Sequence, residues 1–171
     1  MSKGMVVFSH GKESGPWGTK ITRLAAVAAK LGFSVLSIDY TITADPDERV
    51  PLLLEAVAPS DVRLVLVGSS MGAYVSTLAS QDLLPNGLFL MAPAFYLPGY
   101  AGQDPIPCAE MTEIIHGWKD EIVPVEKSID FARRHGVTLH LIDGDHQLIS
   151  RLDLIAELFA SFLIRLQASA G

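Results

Sequence analysis

Cysteine is almost absent: Cys108 stands alone in 171 residues. No intrachain disulfide and no thiolate cluster for zinc can form, and Cys108 itself reads as a small buried or loop side chain. Basic residues are outnumbered, 13 Lys and Arg against 19 Asp and Glu, for a net charge of −6. They are also scattered. This leaves no basic footprint for nucleic acid or for an anionic membrane, and neither partner is expected. No apolar stretch reaches the roughly 18–20 residues of a membrane span. The opening MSKGMVVFSH has too short an apolar core for a secretory signal, and a cytoplasmic location is expected. Spaced ligand patterns such as H-E-x-x-H are missing, so no metal and no cofactor are expected. Internal repeats and low-complexity segments are missing too.

What remains is a chain with 49% hydrophobic and 19% charged residues, the balance of a compact fold rather than a disordered one. Its length suits one domain, residues 1–171, able to bury roughly 70% of the surface its unfolded chain exposes. Two apolar periods alternate along it. Short β-rich runs occur at Met5–Phe8, Phe33–Ile38, Val62–Val67, Gly87–Met91, Thr112–Ile115 and Val137–Ile142. Between them lies helical spacing: Ile21, Leu24, Ala25, Ala28 and Leu31, then Val50, Leu53, Leu54 and Val57. A final stripe runs through Leu148, Leu152, Ile155, Phe159, Phe162, Leu163 and Leu166. Alternation of this kind predicts an α/β fold, a mostly parallel six-stranded sheet with helices on both faces in a three-layer sandwich. The long irregular piece is residues 92–110, with four prolines and two glycines. It reads as a functional loop, or more plainly as a surface connection.

Ligands in such sheets bind beyond the carboxyl ends of the strands, so the segments after each strand carry the chemistry. LVLVGSSMGAY, residues 64–74, is a buried strand that turns into a helix within Gly68-Ser69-Ser70-Met71-Gly72. Glycine is favoured where a turn is this tight, and a serine held between two of them asks for an explanation. After the first strand comes SHGKESGPWG, after the fifth HGWKDEIVP and after the sixth DGDHQL.

Gly68-Ser69-Ser70-Met71-Gly72 matches G-x-S-x-G, and here the chain resembles the α/β-hydrolase family, whose nucleophile elbow has that pattern. Family members order their triad nucleophile, acid, histidine, and Ser70, Asp120 and His146 occur in that order at strand ends. HGWKDEIVP looks like the acid segment, GDHQL like the histidine segment and FSHGKES like the oxyanion segment. The resemblance runs from Val6 to the last helix and implies a small, cap-less serine esterase-like member. Ser70 is the expected nucleophile, His146 its base and Asp120 the group that orients His146. The Met71 N–H is the expected first oxyanion donor. The second is expected from the loop after the first strand, at the Lys12 N–H or the Gly11 N–H.

Other readings of these residues are plainer. Ser70 could cap a helix, and Ser69 lies off the motif centre. Glu121, Asp143 and Asp145 lie near the same edge, the last two too close to His146 in sequence to serve as its acid. His10 and His116, beside glycines at strand ends, suit structural hydrogen bonds. Trp17, Tyr74, Phe95, Tyr96 and Leu97 are candidate walls of an acyl or alcohol pocket, or simply core. The family's opening antiparallel strands and inserted cap domain have no counterpart here. The resemblance therefore implies hydrolysis of a small-molecule carboxylic ester or thioester through an acyl-enzyme. Acyl transfer or peptide cleavage by the same triad, and a non-catalytic binding protein of the same fold, remain open.

Overall fold

The computed structural model describes residues 2–57 and 61–169. Six strands form one sheet: β1 (Met5–Ser9), β2 (Ser34–Ile38), β3 (Leu64–Ser69), β4 (Gly87–Met91), β5 (Met111–Gly117) and β6 (Thr138–Ile142). All neighbours pair in parallel, in the order β2-β1-β3-β4-β5-β6. The expected parallel α/β sheet is thus present, and it is parallel throughout. Among the described residues four helices connect strands, α1 (Thr19–Lys30), α2 (Pro46–Ala56), α3 (Met71–Leu83) and α4 (Val125–His135), and a fifth, α5 (Leu152–Ala168), follows β6.

Side-chain alternation along the strands builds two cores. Val6, Phe8, Val65, Val67, Phe89, Met91 and Ile115 meet α1 and α5 through Leu24, Ile155, Phe159 and Phe162. Val7, Leu66, Leu88, Leu90 and Ile114 meet α2, α3 and α4 through Leu53, Tyr74, Val75 and Phe131. Strands buried on both faces have no polar alternate positions, which is why they read as continuous apolar runs.

Most observed boundaries lie within two residues of the apolar pattern. The exceptions are informative. Helix α2 starts at Pro46, a full turn before Val50, because Asp45 caps it by accepting from the Asp47 and Glu48 N–H groups at 2.8 and 3.4 Å. Pro46 then needs no hydrogen-bond partner for its nitrogen. Strand β5 runs on to Gly117 and so takes in His116. Leu148 belongs to the buried stripe but precedes the last helix, in a left-handed conformation (φ 61°) before a 3-10 turn at Ile149–Arg151.

The chain order reverses between β1 and β3. The first crossover leads out to β2 at the edge, and the next returns to β3 on the other side of β1. A crevice opens beyond the carboxyl ends of two strands wherever such a reversal occurs. Ser9 and Ser69 end those two strands, so the loop after β1 and the β3–α3 turn face each other there.

Candidate active site

The turn at Ser70 is strained. Its φ of 54° and ψ of −116° lie outside the region that side chains normally occupy. Its two glycines answer the question the sequence posed. A Cβ on Gly72 would sit 2.0 Å from the Ser9 carbonyl oxygen, and one on Gly68 would sit 2.4 Å from Ala73 Cα. Any side chain at either position would push α3 away from β1 or open the turn. The strain is held by backbone bonds: the Ser70 N–H donates to Met91 O at 2.9 Å, and Ser70 O accepts from the Ala73 and Ala94 N–H groups at 3.0 and 3.1 Å. This arrangement leaves the Ser70 hydroxyl at the sheet rim.

The loops after β5 and β6 are joined through their backbones. Trp118 N–H donates to Ile142 O and Lys119 N–H to Gly144 O, both at 2.9 Å. A Cβ on Gly117 would lie 2.1 Å from the Gly144 oxygen. This close seam brings Asp120 to His146. His146 Nδ1 lies 2.7 Å from Asp120 Oδ2, and His146 Nε2 lies 3.0 Å from Ser70 Oγ. An ionised carboxylate only accepts, so His146 Nδ1 carries the proton and Nε2 accepts from the serine hydroxyl. Among the carboxylates near this edge, Asp143 is taken by Lys119 and Arg151 at 2.6 and 2.8 Å, and Asp145 accepts from the Leu148 N–H at 2.9 Å. Glu121 is exposed.

The Asp120 side chain is fully buried. Burial pushes its carboxyl up, but hydrogen bonds from His116 and His146, with those from the Val123 and Ile122 N–H groups, hold it well below the usual carboxylate range. His116 is a direct member of this cluster. Its Nε2 lies 2.9 Å from Asp120 Oδ2 and 3.1 Å from Val123 O, and its Nδ1 lies 2.7 Å from Ser128 Oγ. Two acceptors at Nε2 fix the proton there and make Ser128 the donor to Nδ1. Lys20, at the start of α1, has its ammonium pushed down to about 8 by burial, with Asp145 and Asp120 drawing it partly back up.

The loop after β1 passes beside the serine. A Cβ on Gly11 would be 3.6 Å from Ser70 Cβ and 3.5 Å from Ser69 O. His10 is 1% exposed; its Nδ1 donates to Gly11 O at 2.7 Å and its Nε2 accepts from the Tyr40 N–H at 3.0 Å. Arg49, a residue without any signal in the functional motifs, reaches the same loop from α2. Met71 opens α3, so its N–H has no intrahelical acceptor.

The candidate pocket walls divide. Trp17 is 54% exposed in the loop after β1, and Leu97 and Tyr96 are partly buried. Tyr74 and Phe95 are fully buried, and this corrects their assignment as walls. Phe95 stacks on Phe131 of α4 at 4.2 Å. Tyr74 donates to Asp47 Oδ1 at 2.6 Å and accepts from the Gly102 N–H at 2.8 Å, while Asp47 Oδ2 accepts from the Ala101 N–H at 2.9 Å. These bonds tie the 92–110 segment to α2 and α3. That segment contains neither helix nor strand.

A comparison with solved structures gives the class. A protein of Xanthomonas campestris pv. campestris assigned to the alpha/beta hydrolase superfamily is 31% identical over 96% of this chain and 99% of its own, with a TM-score of 0.87. A lidless serine hydrolase of Xanthomonas campestris (23% identity, TM-score 0.73, 96% and 83% covered) shares the fold. So does Est1E of Butyrivibrio proteoclasticus (16%, 0.82, 98% and 89%). No protein-family model matches the chain, and no curated protein matches it in sequence. The chain belongs to the α/β-hydrolase superfamily. Among the described residues no helix is long and apolar enough to cross a membrane.

Proposed function

We propose that this hydrolase is a serine hydrolase that cleaves carboxylic esters or thioesters through an acyl-enzyme. The observation that carries the reading is the unbroken relay from Ser70 Oγ to His146 Nε2 at 3.0 Å and from His146 Nδ1 to Asp120 Oδ2 at 2.7 Å. Ser70 Oγ attacks the acyl carbon as its proton passes to His146 Nε2. Buried Asp120 stabilises the imidazolium and holds its orientation. The carbonyl oxygen takes the negative charge and accepts from the Met71 N–H and from the loop after β1, at Lys12 or Gly11. Collapse breaks the bond to the leaving alcohol or thiol, which takes the proton from His146. Water, deprotonated by His146, then attacks the acyl-serine and releases the acid and Ser70.

Exposed apolar side chains on the loops around the relay support an apolar acyl or alcohol group. Trp17 follows β1, Trp118 and Ile122 follow β5, and Ile149 follows β6, with exposures of 43–70%. With no helix or strand in residues 92–110 to close over them, this rim favours small or loosely selected substrates.

Two measurements test the reading. A fluorophosphonate is expected to label Ser70, located by peptide mass spectrometry, and p-nitrophenyl esters of short acids are expected to turn over. Ser70→Ala is expected to abolish both. Folded protein that neither labels nor hydrolyses any ester or thioester of a graded chain-length panel would refute it.

A further inference from the structure

Arg49 lies in the first turn of α2 and is 1% exposed. No ion pair among the described residues includes it. A buried cation without a counter-ion is costly unless every donor finds an acceptor. Here the acceptors are all backbone carbonyls. Nε and Nη2 both donate to Thr43 O, at 3.1 and 3.0 Å, and Nη1 donates to His10 O at 3.1 Å and Gly11 O at 3.3 Å. The Tyr40 ring covers the guanidinium, with its centroid 5.2 Å from Cζ.

The two carbonyls that Nη1 holds have a specific meaning. A trans peptide is planar, and its N–H points opposite to its C=O; no described peptide is cis. The His10 carbonyl shares its peptide with the Gly11 N–H, and the Gly11 carbonyl shares its peptide with the Lys12 N–H. By drawing both oxygens toward itself, Arg49 turns both N–H groups the other way. His10 Nδ1 adds a second bond to the Gly11 oxygen. Neither N–H donates to any group among the described residues. Gly11 itself lies against Ser70.

We infer that Arg49 is a positioning residue for the oxyanion hole. It fixes the Gly11 and Lys12 amides as donors to the oxygen that becomes negative on the Ser70 adduct. Its uncompensated positive charge polarises the same two peptides and strengthens their N–H groups as donors. The inference rests on the serine-hydrolase reading and deepens it.

Arg49→Met and Arg49→Lys, assayed below their melting temperatures on a short p-nitrophenyl ester, test the proposal. Removing one oxyanion donor slows turnover about 10²–10³-fold. Arg49→Met is expected to lower kcat by about 10²-fold and to weaken binding of an arylboronic acid, which forms a charged tetrahedral adduct on Ser70, by a similar factor. KM and the low-field proton resonance of the His146–Asp120 bond are expected to stay as in the wild type. Arg49→Lys keeps the charge but loses the fork, and about tenfold in kcat is expected to go with it. It also serves if Arg49→Met fails to accumulate. A folded variant with wild-type kcat and boronate affinity would overturn the proposal, as would losses confined to KM. Wild-type protein without hydrolysis, or hydrolysis that survives Ser70→Ala, would instead overturn the serine mechanism, and this proposal with it.

Discussion

Two fully buried charges, one on a strand and one on a helix, are handled in different ways. Glu113 of β5, 1% exposed, has two basic partners: Arg165 of α5, and His140 of β6 at 2.9 Å. Arg49, equally buried, has none, only carbonyl oxygens. At Glu113 opposite charges cancel and the cluster joins β5, β6 and α5. At Arg49 the charge is left standing, behind the loop whose Gly11 lies against Ser70. A charge cancelled locally can contribute to structure alone, whereas one left uncancelled supplies a field that a reaction can use.

Asp120 gives the largest expected effect on that contrast. Asp120→Asn keeps the shape of the side chain but removes its charge, and a loss of about 10⁴-fold in kcat is expected, with the fold retained. Steady-state assays and circular dichroism would check both parts. Glu113→Ala is expected to do the opposite. It removes the shared carboxylate from Arg165 and His140, whose side chains stay hydrated at 48% and 28% exposure, and is expected to cost about 1 kcal/mol, read as the urea midpoint, while kcat stays within about twofold. If activity fell with stability in this variant, the division between a structural and a functional buried charge would fail.

Acid titration sharpens the same comparison. Asp120 binds its proton more weakly in the folded state than in the unfolded chain, whose carboxyl titrates near about 3.9. Its contribution to stability is therefore complete above that value and is lost as pH falls toward the folded carboxyl's own titration. The unfolding midpoint of the wild type is expected to drop steeply from about pH 4 downward, and that of Asp120→Asn less steeply. Lys20 gives the smallest effect, with the same sign of slope but in the alkaline range, because its charged form is the one that burial disfavours. Its ammonium titrates at about 8 in the fold, so above that pH the unfolded chain holds the extra proton and stability rises. A melting temperature that gains less between about pH 8 and pH 10 in Lys20→Met than in the wild type would bear this out.

The sequence made the strands legible because double burial leaves unbroken apolar runs such as Leu64–Val67. Ser70, Asp120 and His146 were legible as a set because glycine pattern and chain order together restrict the choices, and the structure brings the three into contact. Arg49 was not. It sits in Asp-Glu-Arg, which looks like a solvated first turn. The available signal was weak: Arg49 precedes Leu53 by four residues and Val57 by eight, and so falls on the same helical stripe. His116 was read as a structural hydrogen-bonding residue, and its partner proves to be Asp120 itself. Tyr74 misled because its place just after the motif suggested a pocket wall. Its ring faces the α2 side, where the acceptor is Asp47, a contact that nothing local in the sequence announces.

The absent side chain of Gly72 has a wider consequence. Because the first turn of α3 rests directly on the carbonyls that end β1, the serine turn and the start of the loop after β1 pack with no room for a side chain between them. Adaptation to a new substrate has little freedom to act there. It would have to work through exposed side chains such as Trp118, Ile122 and Ile149, exchanged on backbones that keep their length, because the same two loops hold Asp120 against His146.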